Sequence, residues 1–134
     1  MKKEPSYKEA LIAYRMERAQ QTLQTAQLLD EQNADTASVV NRAYYAIFYA
    51  ALAMLATIGE ETSKHSGVIA LFDRHFIKTG ALPKEIGKFL HTAFDMRQTA
   101  DYEDKAEISR EISRQILEFA KEFVKSIEKK LQQP

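Results

Sequence analysis

Cysteine is absent from all 134 residues, which removes disulfides and thiolate metal sites. Net charge is absent as well: nineteen basic and nineteen acidic residues cancel. The chain therefore lacks the overall positive field of a protein that wraps nucleic acid, and any binding of anions or RNA has to come from a local patch. Glycine is scarce, and Gly59, Gly67, Gly80 and Gly87 are spaced for neither a dinucleotide fingerprint nor a P-loop. None of the three histidines has a glutamate three residues before it, so the signature of di-metal carboxylate bundles is missing. The first residues, MKKEPSYKEA, lack the apolar centre of a signal peptide, and a cytoplasmic protein is expected. No stretch alternates apolar and polar residues as a half-buried strand does.

What the chain has is helical periodicity. From about Ser6 to Glu31, Ile12, Met16, Ala19, Leu23, Ala26 and Leu29 recur every three or four residues and define one buried stripe. A second helix, capped by Asp35 and stopped at Gly59, is apolar on all sides. Val40, Tyr44, Ile47, Ala51, Met54 and Ile58 lie on one side, and Tyr45, Phe48 and Leu52 on another. Such a helix has to be covered from several directions, by its neighbours or by a second subunit. A third helix is predicted from Lys64 to Thr79, ending at Gly80. The fourth opens at Pro83 and uses Ile86, Leu90, Ala93 and Met96. Asp104 and Glu107 have capping-box spacing ahead of a fifth helix, which buries Ile108, Ile112, Ile116, Phe119, Phe123, Ile127 and Leu131.

Long amphipathic helices and short loops predict an all-α, up-and-down antiparallel bundle of four to five helices. No linker or repeat divides it, so residues 1–134 are expected to form a single domain. The uncharged run after Arg42 is at the lower length limit of a membrane span and carries Tyr44, Tyr45 and Tyr49, so a buried helix, with no membrane, is the expectation.

Arg42 is the one charged residue between Val39 and Ala56. A guanidinium stays ionised and needs anionic or carbonyl partners once it leaves water. Arg97 and Asp101, in MRQTADY, stand four apart on one helix face, followed by Tyr102. Two readings stand. In one, the arginines pair with carboxylates as structural devices. In the other, Arg42 and Arg97 converge on a cleft and clamp phosphate, Asp101 orients an arginine, and Tyr102 and Tyr45 offer aromatic faces to a base. His91 and Asp95 are one turn apart, but two ligands are too few for a metal, and neither metal nor cofactor is expected. His65 and His75 have no perturbing neighbour legible in sequence.

The segments NRAYYAIFYAALAML, KHSGVIALFDRHFIKTG and MRQTADY, in that order and after ERAQQTLQTAQLL, resemble the HEPN-domain family of small prokaryotic helical proteins. The resemblance implies a helical bundle that forms a homodimer with a cleft along the interface. It also implies a partner, a minimal nucleotidyltransferase, in a toxin-antitoxin or stress-response setting, with nucleotide or single-stranded RNA as ligand. The ribonuclease branch of the family carries an arginine, four to six residues, then a histidine, often with a tyrosine two positions on that the partner enzyme adenylylates. Here no histidine follows Arg97, and Asp101 and Tyr102 stand in its place. A metal-independent ribonuclease would then need Arg97 with Asp101, or a histidine supplied by the fold such as His65 or His91. Cleavage requires one group to take the proton from the ribose 2′-hydroxyl and another to protonate the leaving oxygen. A purely structural interaction module is the remaining alternative.

Overall fold

The computed structural model describes residues 4–102 and 108–133. These residues form five α-helices: α1 (Tyr7–Glu31), α2 (Thr36–Thr57), α3 (His65–Phe72), α4 (Lys84–Tyr102) and α5 (Arg110–Leu131). Among the described residues there is no strand. Ser6 caps α1 by accepting the Glu9 N–H, and Asp35 caps α2 by accepting the Ser38 N–H and hydroxyl. Those two bonds to Ser38 hold the Asp35 carboxyl below its ordinary value. Between α1 and α2 the chain reverses through Asn33 at φ 57°, a left-handed conformation that asparagine tolerates better than most residues. Gly59 takes the same region after α2, at φ 71°.

The third helix differs from the single element predicted over 64–79. After Phe72 the backbone widens into one π-helical turn, Asp73–Ile77, closed by the Lys78 N–H on the Asp73 carbonyl at 2.8 Å. Phe72 and Phe76 still face the core, their ring centroids 5.4 Å apart. Pro83 immediately precedes α4 instead of lying within it. The Asp104–Glu107 capping box falls outside the described residues, and Ser109, accepting the Ile112 N–H at 3.1 Å, caps α5. Ile58 and Ile112, both expected inside, are 44 % and 38 % exposed because they sit at helix ends.

Helix α2 is the centre of the bundle and packs against α1, α3, α4 and α5. By length and composition it passes as a membrane span, yet 72 % of its most apolar stretch is buried inside the bundle. Five of its alanines, Ala43, Ala46, Ala50, Ala51 and Ala53, are fully buried. Small side chains let neighbouring backbones approach closely, while Ile47, Leu55 and Tyr44 fill the remaining space. Each such large apolar side chain contributes about 1.5–3 kcal/mol on burial.

One polar junction inside this frame was not legible beforehand. Asp30, near the end of α1, is buried and faces Arg110 and Arg114 at the start of α5, at 3.6 and 3.3 Å. Arg110 also donates to the Ala34 carbonyl at 2.6 Å. Beside it the Thr36 hydroxyl donates to the Ile108 carbonyl at 2.7 Å. Together these fix the α1–α2 turn against the head of α5.

Candidate functional site

The face of α2 between α1 and α4 carries the charged residues singled out above. Tyr45 is its hub. The guanidinium carbon of Arg42 lies 5.2 Å from the Tyr45 ring centroid and that of Arg97 lies 5.6 Å from it, both within cation–π range. Arg97 also donates from Nη2 to the Tyr45 hydroxyl at 3.4 Å and sits 5.5 Å from the Tyr44 ring. The two arginines therefore converge within one subunit, on one aromatic ring.

Their partners differ. Arg97 Nε is 2.9 Å from Asp101 Oδ2, four residues on, as the spacing predicts. Its N–H does not point along that line, and Nε is buried without an aligned acceptor, so the contact is an ion pair more than a hydrogen bond. Arg42 Nε and Nη2 donate to the side-chain oxygen of Asn41 at 3.2 and 3.0 Å. Among the described residues no carboxylate forms an ion pair with Arg42. Arg42 and Asp101 meet at an open cleft of about 390 Å³, lined also by Leu29, Ala37, Ser38 and Asn41. Tyr102 ends α4, and its side chain lies outside the described residues.

The fold delivers one histidine to this cluster. His65, the first residue of α3, makes a 2.7 Å hydrogen bond through Nδ1 with the hydroxyl of Tyr44, whose ring is fully buried. Its ring stacks on Phe48 at 4.2 Å and meets the Tyr45 ring edge-on at 5.8 Å. Burial, with the nearby charge of Arg97 second, lowers the His65 pKa below its ordinary value. Burial pushes the Tyr44 phenol well above its own ordinary value. Both groups are thus neutral near pH 7, and with the phenol as donor the imidazole carries its proton on Nε2.

The other histidines go elsewhere. His91 pairs with Asp73, Nε2 to Oδ2 at 2.5 Å, across to the π-helical turn. His91 is thus engaged by Asp73 and not by Asp95, its neighbour one turn on. His75 faces Glu60 at 4.0 Å. Among the described residues no group of three metal-ligating side chains comes together. Asn41 is the site residue that sequence reasoning passed over, its one signal being adjacency to Arg42. His65 was named beside His91 as a histidine the fold would have to supply, and of the two it is His65 that reaches the cluster.

A five-helix bundle whose central helix gathers two arginines and a histidine around one tyrosine defines the class of protein. The chain belongs to the HEPN family: the model of the HEPN domain matches residues 12–130. It is 47 % identical over 100 residues to a "UPF0332 protein" of Thermotoga maritima, covering 75 % of each chain. It is 41 % identical over 87 residues to a "UPF0332 protein" of Gloeobacter violaceus, covering 65 % of this chain and 68 % of that one. A protein of Methanocaldococcus jannaschii whose name calls it a "Putative toxin" is 38 % identical over 96 residues, covering 71 % of this chain and 64 % of that one.

Proposed function

We propose that this HEPN protein binds a nucleotide or RNA at the Arg42–Tyr45–Arg97 cluster, as the partner of a minimal nucleotidyltransferase in a toxin-antitoxin setting. The observation that carries the reading is the arrangement of the two guanidiniums on one partly buried ring, with Arg42 also lining an open cleft. Arg42 in particular is held by a neutral amide oxygen, which leaves its charge available. Phosphate oxygens are the ligand that such a donor fork suits. Asp101 orients Arg97, and Tyr102 is the residue a partner enzyme would modify. The name of the archaeal relative supports the toxin-antitoxin setting.

The test is fluorescence anisotropy of a labelled single-stranded RNA with wild type, Arg42→Ala and Arg97→Gln, each shown by circular dichroism to be folded. Removing Arg42 is expected to weaken binding by about tenfold or more, as losing one charge-assisted contact does. Equal affinity in all three proteins overturns the proposal.

The position of His65 favours one second reading, a ribonuclease that uses this imidazole in place of the missing motif histidine. A ring that is neutral near pH 7 is in the form that accepts a proton. RNA turnover by the wild type that vanishes in both His65→Gln and Arg97→Gln would establish it, and intact RNA with the wild type would exclude it.

A further inference from the structure

The outward face of α2 continues the pattern of the cluster beyond Tyr45. Arg42, Tyr45 and Tyr49 stand at i, i+3 and i+7, which places them on one stripe. All three are only partly buried, in contrast to the fully buried alanines on the other sides. Each tyrosine receives a guanidinium from a flanking helix. At Tyr45 this is Arg97 of α4; at Tyr49 it is Arg18 of α1, its guanidinium carbon 5.2 Å from the ring centroid and its Nη2 3.5 Å from the hydroxyl.

Among the described residues neither Arg18 nor Arg42 forms an ion pair with a carboxylate. The run of available charge ends one turn further on, where Arg15 is occupied by the Leu52 carbonyl at 3.0 Å and by Glu61 at 3.4 Å. A chain with no net charge therefore sets three guanidiniums against two aromatic rings, Arg97 paired with Asp101 and Arg18 and Arg42 without a carboxylate among the described residues. From Arg42 to Tyr49 the helix rises about 10 Å at 1.5 Å per residue. A stripe of that length takes more than one nucleotide of a single strand.

We propose that the ligand is a single strand of several nucleotides, not a mononucleotide, and that it continues from the Arg42–Arg97 cluster along α2 over Tyr49 and Arg18. The proposal rests on the reading of the cluster given above and extends it. Alternating cations and aromatic faces are what a sequence-tolerant single-strand track requires, the cations for phosphates and the rings for bases.

The experiment measures the affinity of the full chain for uridine mono-, di-, tetra- and octanucleotides, in wild type, Arg18→Gln, Tyr49→Leu and Arg42→Ala. In the wild type, affinity is expected to rise about tenfold or more between the di- and the tetranucleotide. Arg18→Gln should lose about tenfold for the octanucleotide and nothing for the mononucleotide. The slope of log affinity against log salt for the octanucleotide should become shallower by about 0.7, the value for one phosphate contact on a single strand. Tyr49→Leu should weaken the longer strands and Tyr49→Phe should restore them.

Affinity that does not depend on length overturns the proposal. So does an unchanged octanucleotide affinity in Arg18→Gln while Arg42→Ala still fails to bind, in which case the cluster stands and the track does not. Loss of neither with Arg42→Ala shows that the cluster itself was misread. If Arg18→Gln alters the mass seen by light scattering and leaves RNA affinity alone, the stripe is a contact between copies and the track is refuted.

Discussion

Replacing Tyr44 by phenylalanine isolates the hydrogen bond on which the placement of His65 depends. The Tyr44 ring is fully buried and packs against Tyr45, Phe48, Phe94 and His65. Phenylalanine keeps those contacts and deletes only the hydroxyl, which lies 2.7 Å from His65 Nδ1. A net hydrogen bond is worth about 0.5–1.5 kcal/mol, and a partner left unsatisfied out of water costs about 1–3 kcal/mol more. His65 is only partly buried, so its Nδ1 recovers some hydration, and the expected loss is about 2 kcal/mol. For a domain of this size each kcal/mol moves the melting temperature by about 4 °C, which predicts a fall of about 8 °C. The assay is differential scanning calorimetry at mildly alkaline pH, where His65 is neutral, on Tyr44→Phe, His65→Phe and the double variant. The coupling should be about 1 kcal/mol. A fall of less than about 1 °C, or single effects that simply add, would refute the reasoning and detach His65 from the cluster.

Two further outcomes follow from the same geometry. His65 has its pKa lowered by burial and by Arg97, with Tyr44 and Tyr45 of α2 and Arg97 of α4 around it. Folding therefore favours the neutral ring. Its contribution to stability is complete above the ordinary value of 6.5 and is lost as pH falls below that value, because the unfolded chain then binds the extra proton. Urea midpoints measured down through mildly acidic pH should decline in the wild type and stay flatter in His65→Gln; parallel curves would sink the assignment. At the α1–α5 junction, Asp30→Ala should cost about 2 kcal/mol, since it strips the buried partner of Arg110 while the Ala34 carbonyl still holds that guanidinium. Arg114→Ala, at a side chain 61 % exposed, should cost about 0.5 kcal/mol; equal losses in chemical denaturation would contradict this ranking.

The bundle was legible because its helices bury stripes of regular period and their ends carry local signals. Ser6, Asp35 and Gly59 act within a few residues of themselves, and such chemistry is written in one dimension. The π-helical turn was not legible: Asp73–Ile77 keeps the apolar spacing of an α-helix, and only its tertiary setting, with Asp73 against His91 and Phe76 in the core, marks the difference. Asp30 failed for the same reason. A carboxylate near the end of α1 reads as solvated until α5, eighty residues on in the chain, brings two arginines to it.

The site divides along that line. Arg97 and Asp101 are an i, i+4 pair, and the expected contact forms. Arg42 drew notice as a lone charge in an apolar run, but its surroundings needed three dimensions. Arg42 and Arg97 are separated in sequence by the rest of α2, all of α3 and most of α4, and nothing local says that Tyr45 receives both. The fold has a physical reason to place them so. A guanidinium that cannot find a carboxylate still loses less on leaving water when it lies over an aromatic face. Tyr45 and Tyr49 supply such faces at the edge of a helix whose remaining sides are apolar. Arg97 is paired with Asp101, but at Arg42 the same placement keeps the charge off any carboxylate among the described residues and within reach of an external anion. The feature that makes Arg42 tolerable in the bundle is thus also what leaves it free to bind.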